Sequence, residues 1–373
     1  MQKKIIALAI AGLASTAAFA QSNVTIYGIA DYGYSYRTDS TANGPRNGDR
    51  SAGQFNAGQA AGSRIGFKGV EDLGNGLKAV FLVEQGLNID TTTGDVNANA
   101  NNIAFVRQAY GGLTGGFGTV VGGRLYSPHF TLVSSLDPFG RGTVGTYANT
   151  YGGGLFDPTR VNNAVAYVSP SFGGFVVTAA YSNGALANDS VVSNAYNDTV
   201  YALLGRYTAG PVDVGVNYHY IAAGSTAGPT IAGLDTVKSV QNITIGGSFD
   251  AKVVKIAGWY SNNVQDNVTG VSDAKIDNWM IGATVPVGKF AIKASYNFSD
   301  GNRAAGGNAQ QLAFGADYNL SKRTKLYTAY AKIDNDSSNG STPLVRRAAV
   351  VGDAVNTGGT FQEGFQIGMN HSF

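Results

Sequence analysis

Apolar and polar residues alternate in many short segments along the chain. Clear examples are 212–220 (VDVGVNYHY), where valine or tyrosine occupies every second position, and 290–299 (FAIKASYNFS). An alternation with a period of two places the apolar side chains on one face of a β-strand and the polar side chains on the other. The pattern therefore predicts strands that separate an apolar environment from a polar one.

About sixteen such segments account for most of the chain. We predict strands at 24–37, 62–71, 77–86, 103–114, 119–127, 160–170, 175–182, 199–208, 212–221, 239–249, 253–262, 277–286, 290–299, 309–320, 325–334 and 360–373. Short turns alternate with long polar connections at 38–61, 87–102, 128–159, 183–198, 222–238, 263–276, 300–308 and 335–359. A soluble sandwich would share the alternation, but these unequal connections and the aromatic strand ends are typical of a transmembrane antiparallel β-barrel.

The connection 128–159 differs from the others. It holds three prolines and a glycine-rich middle, and it follows neither the period of a strand nor that of a helix. Connections of this length within a compact fold are usually functional or disordered. Its large aromatic side chains gain by packing and argue against disorder; they are Phe130, Phe139, Tyr147, Tyr151 and Phe156. We therefore expect this loop to fold back into the lumen of the barrel.

The amino terminus has the features of a secretory signal. Lys3 and Lys4 precede an apolar run that ends in the small-residue motif Ala18-Phe19-Ala20. We predict a cleaved signal peptide at 1–20 and a single outer-membrane barrel domain at 21–373. No later stretch of about eighteen apolar residues is present, so no transmembrane helix is expected.

Composition supports export into a membrane rather than a soluble enzyme. Only 13% of the residues are charged, 11% are aromatic, and cysteine is absent, which excludes a disulfide scaffold and thiol chemistry. Loss of the two signal lysines leaves 24 basic against 24 acidic residues, because the full chain has 26 and 24. A neutral chain does not suggest a nucleic-acid partner. A barrel of sixteen strands is too wide for its side chains to fill, so an aqueous channel is expected.

Four segments carry a family resemblance: 22–31 (SNVTIYGIAD), 63–86 (SRIGFKGVEDLGNGLKAVFLVEQG), 105–124 (FVRQAYGGLTGGFGTVVGGR) and 366–373 (QIGMNHSF). In combination they resemble the trimeric general porins of beta-proteobacteria. The resemblance implies a sixteen-stranded barrel in the Gram-negative outer membrane, with the third outer loop, here 128–159, folded into the lumen. It also implies a homotrimer, in which the loop 87–102 reaches a neighbour. Asn370 departs from the family, which often has a basic residue before the histidine.

The resemblance further implies a role for the carboxyl terminus. The terminal Phe373 resembles the signal that the barrel-assembly machinery reads. The implied function is passive diffusion of small hydrophilic solutes and ions through a channel embedded in outer-membrane lipid.

Alternation assigns a set of basic side chains to the lumen. Treating Ile65, Phe67, Val106, Tyr110, Val121, Leu125, Val161 and Val165 as facing lipid turns their basic neighbours inward. The predicted pore-lining residues are Arg37, Arg64, Lys68, Arg107, Arg124 and Arg160, opposed by Asp137 and Asp157 of the inserted loop. Because the basic residues outnumber the loop acids, we expect a preference for anions. Alternatively, the arginines pair with Glu84 and Asp31 and only brace the wall.

Other functions are weakly supported by the sequence. The three histidines lack metal-ligand spacing, and no G-x-S-x-G motif is present, so no cofactor, metal or catalytic residue is predicted. Three alternatives remain open: a channel specific for one class of substrate, an outer-membrane barrel enzyme, and an added role of the outer loops as an adhesin or phage receptor.

Overall fold

The computed structural model describes residues 23–39, 50–90, 107–151, 158–184, 199–222, 237–267, 270, 272–302, 308–335 and 363–373. Within them the chain forms one antiparallel sheet in which strands adjacent in sequence pair with each other at all but one position. The first strand also pairs with the last, so the sheet closes into a barrel. Closing the sheet between its first and last strands removes the open edge that lipid could not satisfy.

Seventeen strands are present in the described part of the chain. They are β1 (Asn23–Asp39), β2 (Arg50–Ala57), β3 (Arg64–Gly74), β4 (Leu77–Gly86), β5 (Gln108–Gly115), β6 (Gly118–Tyr126), β7 (Arg160–Val168), β8 (Phe175–Asn183), β9 (Thr199–Ala209), β10 (Val212–Ala222), β11 (Val237–Asp250), β12 (Lys255–Asn267), β13 (Ala274–Val287), β14 (Phe290–Gly301), β15 (Ala309–Asn319), β16 (Thr324–Asn335) and β17 (Glu363–Ser372). Sixteen of them overlap the sixteen predicted strands.

The additional strand is β2, which lies within the predicted loop 38–61. It pairs with the second half of β1, while β3 pairs with the first half. β2 and β3 therefore occupy one position around the barrel, and the barrel has sixteen strand positions. The alternation missed β2 because its sequence RSAGQFNA contains a single large apolar residue, Phe55. The strand forms because β1 is long enough to offer it a partner.

The connections confirm the predicted alternation of lengths. At one end, strands are joined by tight turns such as 75–76, 210–211 and 288–289. Gly210 and Gly288 have φ angles of 56° and 60°, a left-handed conformation that favours glycine. The carboxyl terminus lies at this end, because the Ser372 amide donates to the carbonyl of Arg323 in another short turn.

The two faces of the sheet differ in chemistry. On β11, Ile243 and Ile245 are 49% and 57% exposed, whereas the side chains of Asn242 and Thr244 between them are buried. Exposed large apolar residues recur on the outer face of the other strands, which suits contact with lipid hydrocarbon. We refer to the opposite side, which carries Asn242 and Thr244, as the polar face.

One helix, α1 (Pro128–Leu136), occurs in the predicted irregular loop. Ser127 caps it by accepting a hydrogen bond from the Phe130 amide, and Pro128 occupies the first helical position. The segment was predicted to lack a helical period, and for these nine residues that prediction is wrong. Among the described residues, no helix has the length and apolar character needed to cross a membrane.

Candidate functional site

The segment from Ser127 to Tyr151, here called the inner segment, packs on glycines of the polar face. Cβ atoms placed on four of these glycines would approach its apolar side chains too closely for normal contact. They would lie 2.8 Å from Leu132 at Gly215, 2.7 Å from Leu136 at Gly246, 2.6 Å from Pro138 at Gly282 and 2.8 Å from Phe139 at Gly315. We call these four residues the glycine track. Their missing side chains provide the space that the inner segment occupies.

Hydrogen bonds fix the rest of the inner segment to the same face. The Val144 amide donates to Gln366 Oε1 over 2.7 Å, and Asn149 Nδ2 donates to Gln311 Oε1 over 2.7 Å. The Tyr151 hydroxyl lies 2.7 Å from Ser261 Oγ, and Asn242 Nδ2 donates to it over 2.9 Å. These partners belong to β17, β15, β12 and β11, so the inner segment contacts much of the wall.

Asp137 is used within the inner segment itself. Its two carboxylate oxygens accept hydrogen bonds from the backbone amides of Phe139 and Tyr147, each over 2.9 Å. Burial raises the pKa of this carboxyl to about 7, because desolvation outweighs both hydrogen bonds and the attraction of Lys293. Asp137 was predicted to face the basic wall across the lumen, and its burial contradicts that placement. Asp157, the other predicted acid, lies outside the described residues.

We expect Asp137 to make stability depend on pH. Its pKa is about 7 in the folded chain and about 3.8 in the unfolded chain, so the folded state binds the proton more tightly. The stabilisation that the bound proton of Asp137 provides is fully present below the unfolded pKa and is lost as pH rises to about 7. Linkage gives a loss of about 3 kcal/mol between roughly pH 5 and pH 8. The measurement is the unfolding free energy of the detergent-solubilised barrel against pH.

The matched variant is Asp137→Asn, and the quantity of interest is its difference from the wild type at each pH. His129 contributes a pH dependence of the opposite sign, because burial lowers its pKa to about 3. Both proteins contain His129, so its contribution cancels when the two unfolding free energies are subtracted. Asp72→Asn, at an exposed position near the end of β3, should keep the wild-type profile. Parallel profiles for wild type and Asp137→Asn would contradict the expectation.

Three of the predicted arginines meet around Glu84. Arg64 Nη1 and Arg107 Nε lie 3.7 Å and 3.6 Å from its carboxylate oxygens. Arg107 Nη2 and Arg160 Nη2 both donate to the Tyr126 hydroxyl, over 2.9 Å and 3.4 Å. We call Arg64, Arg107 and Arg160 the arginine cluster. One carboxylate serves two guanidinium groups, so the cluster keeps an excess of positive charge.

The predicted bracing by Glu84 is therefore present, but Asp31 is used differently. Its carboxylate accepts hydrogen bonds from the side chains of Tyr327 and Asn370, rather than pairing with one of the predicted arginines. Wall bracing and a surplus of positive charge coexist at Glu84, since the pairing leaves two of the three positive charges uncompensated.

The other predicted basic residues make contacts of their own. Arg37 is half-buried on the polar face, in register with Gly364. Lys68 is exposed, and its ammonium lies 5.2 Å from the centre of the Tyr27 ring. The Arg124 guanidinium donates a hydrogen bond to Asn162 of β7.

Face assignments near β6 were partly wrong. Val121, Leu125 and Val161 were assigned to lipid, but all three are buried in the same apolar cluster as Leu132 of α1. The pairing of β6 with β7 shifts register between Gly123 and Leu125, which interrupts the alternation there. Where this cluster lies, the inner side of the wall is apolar too, so a period-two pattern no longer distinguishes the faces.

Tyr110 was also assigned to lipid, and the register corrects it. It pairs with Leu82, two residues from Glu84 on the same face of β4. Arg107 still reaches Glu84, because it lies just before β5 begins and is not bound by the alternation of that strand.

Several charged residues of the polar face were not singled out from the sequence. Asp317 accepts from Lys293 over 2.7 Å and from Lys325 over 2.8 Å. Arg206 Nε donates to Asp213 over 2.7 Å, and Arg206 Nη2 donates to Ser135 of α1 over 3.0 Å. The alternation of β14 already placed Lys293 on the polar side, so attention to inward lysines would have found it.

Arg141 is the basic residue of the inner segment. Its guanidinium carbon lies 5.3 Å from the centre of the Phe130 ring and 6.0 Å from that of Tyr147. With Asp137 buried, Arg141 is the partly exposed charge that the described inner segment presents. The segment was predicted to oppose the wall with acids, whereas its described surface carries a cation.

No metal centre emerges from the geometry of the described ranges. They contain no group of three or more His, Asp and Glu side chains placed to hold a metal ion. The buried rings of His129 and His219 lie 5.4 Å apart between centres and pack edge to face.

A closed sixteen-stranded barrel with an apolar outer face and a charged polar face defines the class of outer-membrane channel proteins. Comparison with known proteins specifies the family. A model described as "Gram-negative porin" matches residues 7–338. The chain belongs to this family and is a porin of the Gram-negative outer membrane.

Its similarity to individual relatives extends over the whole chain. The "Outer membrane porin protein 32" of Delftia acidovorans is 34% identical over 382 aligned residues, covering 100% of both chains. An outer membrane porin protein of Bordetella pertussis is 31% identical and covers 89% of this chain and 94% of the relative. Among solved structures, an "Anion-selective porin from Comamonas acidovorans" matches with a TM-score of 0.74 and 28% identity, covering 95% of this chain and 100% of that one.

Proposed function

We propose that the protein is a passive, anion-preferring diffusion channel for small hydrophilic solutes and ions. The polar face lines the channel, and the inner segment folds across its lumen and narrows it. The observation that carries the proposal is the arginine cluster, in which Arg64 and Arg107 share the single carboxylate of Glu84 while Arg160 donates to the Tyr126 hydroxyl. A narrow passage lined by one sign of charge concentrates the counter-ion.

The inner segment adds to this positive field. The carboxyl of Asp137 is buried against backbone amides, so its charge is shielded from the passage, whereas Arg141 is partly exposed. Arg37, Lys68 and Arg124, at their places on β1, β3 and β6, extend the positive charge along the same side of the barrel. The similar structure described as an anion-selective porin supports the same preference.

We also propose assembly and export as in general porins. The chain would be exported by a cleaved signal at 1–20 and would assemble into a homotrimer through apolar outer residues near the joined termini. Val24, Ile26 and Ile367 are 57%, 61% and 52% exposed there, which supports a lipid or subunit contact. Phe373 would be read by the barrel-assembly machinery. Conduction, rather than catalysis, is the proposed activity, and no cofactor is required for it.

The test is reconstitution of the purified protein in a planar bilayer under a salt gradient. We expect current steps in groups of three with a reversal potential that favours anions. A cation-favouring potential would overturn the proposed preference while leaving a porin. Folded protein that conducts no current would overturn the channel itself and would favour a barrel enzyme or a receptor.

A further inference from the structure

The strand position shared by β2 and β3 is interrupted by an inward bend. Tyr32 of β1 pairs with Ala57, and Ile29 of β1 pairs with Arg64. Residues 58–63 therefore stand opposite only two residues of β1, Ala30 and Asp31. Six residues opposite two leave four extra residues, which must protrude from the sheet. We call residues 58–63 the bend.

Asp31 holds the bend on the polar face. Its Oδ1 accepts from the Ala60 amide over 3.0 Å, and its backbone amide donates to Ser63 Oγ over 2.9 Å. The same carboxylate accepts from Tyr327 of β16 over 2.9 Å and from Asn370 of β17 over 2.8 Å. This fully buried carboxylate thus joins the bend, on one side of the point where the barrel closes, to β16 and β17 on the other side.

The bend contacts both sides of the charged passage. Arg64 Nε donates to the Gly62 carbonyl over 2.9 Å, and a Cβ on Gly62 would lie 2.6 Å from Arg107 Nη1. On its other side, a Cβ on Gly142 of the inner segment would overlap the carbonyl oxygen of Ala60. The bend therefore lies between the arginine cluster and the residue that follows Arg141.

From these contacts we infer that the bend is a second wall of the channel constriction and that Asp31 is the positioning residue that sets its place. The inference rests on the proposed channel function. The inner segment narrows the lumen from one side, and the bend fixes the arginine cluster against it from the other. Asp31 acts through hydrogen bonds that hold the bend, since its buried carboxylate is separated from the passage by that backbone.

A cysteine at Ala61 tests whether the bend lines the passage. The chain contains no cysteine, so Ala61→Cys introduces a single reactive thiol at a partly exposed residue. Modification by a negatively charged methanethiosulfonate should reduce single-channel conductance about twofold, because it adds bulk and repels anions. Ala283→Cys is the control, since Ala283 pairs with the outward Ile256 and its modification should leave conductance unchanged.

Asp31→Asn tests the positioning role by the sign of its effect. Removing a negative charge from the lumen wall should by itself increase anion preference, as we expect for Asp317→Asn on β15. Loss of the bend's anchor should instead displace Arg64 and Arg107 and lower anion preference, because an amide offers one accepting oxygen where the carboxylate offers two. Opposite shifts in reversal potential for the two variants are the expected result.

Two outcomes would overturn the inference. One is equal shifts for Asp31→Asn and Asp317→Asn. The other is Ala61→Cys protein that gains the mass of the reagent without a change in conductance, a result that does not require Asp31→Asn to fold. Both outcomes are defined only for a wild-type protein that conducts. Wild-type protein that carries no current would instead show that the channel proposal itself has failed.

Discussion

Replacing Arg64, Arg107 and Arg160 together by glutamine is expected to move the reversal potential from an anion-favouring to a cation-favouring value. The substitution removes three positive charges and leaves Glu84 with its negative charge on the same part of the wall. Clefts lined by one sign of charge raise the local concentration of the counter-ion by at least about an order of magnitude. The anion-to-cation permeability ratio should therefore fall about tenfold. The measurement is the reversal potential of single channels under a salt gradient.

The control removes the same amount of charge elsewhere. Lys252, Lys289 and Lys322 are exposed on the short turns at one end of the barrel, and their joint replacement by glutamine should shift the potential far less. If both triple variants shift it equally, net charge rather than the cluster determines selectivity. If the arginine variant loses only thermal stability, the arginines brace the wall and do not select ions.

A larger side chain at Gly282, one residue of the glycine track, is expected to narrow the channel. In Gly282→Leu, the added side chain would meet Pro138 from its Cβ outward, at 2.6 Å from the ring. The inner segment would be pushed away from the wall towards the channel axis, since the neighbouring strands are held by their own ladder hydrogen bonds. Overpacking of this kind costs about 1–3 kcal/mol, so the barrel should still fold. We expect single-channel conductance to fall about twofold, with noisier current.

Ala283→Leu is the matched control, because it makes a similar change one residue along the same strand but on the outer face. It should conduct as the wild type does. Equal conductance in wild type and Gly282→Leu would mean that the inner segment does not line the open channel. Increased conductance would mean that the segment detaches from the wall rather than shifting towards the axis.

Some site residues could be predicted because their surroundings are local. Arg64 reaches the polar face through the simple alternation of β3, and Lys293 follows the same rule on β14. Asp137 could not be placed in this way. Its partners, the amides of Phe139 and Tyr147, become available only when the chain around it turns, and no sequence period encodes that turn.

The apolar cluster inside the wall shows a second limit. Val121 and Leu125 are buried in the cluster that includes Leu132 of α1, yet an apolar residue in a membrane strand is ordinarily assigned to lipid. The register shift after Gly123 compounds the ambiguity, because one unpaired residue reverses the apparent face of all that follow. Sequence alternation is therefore reliable only where a single face is apolar.

By itself, the sequence determined the all-β class, sixteen of the strands, the alternation of short and long connections, and the family. The class, the strands and the connections between them follow from the period of two along each strand, which is a property of neighbouring residues. The family follows from the resemblance that four segments of the sequence carry. Only the tertiary structure decided that β2 extends the wall, that α1 forms, that Asp137 is buried within the inner segment and that Asp31 anchors the bend. Those features depend on contacts between residues far apart in the chain, such as Asp31 with Asn370, and a local pattern carries no information about such partners.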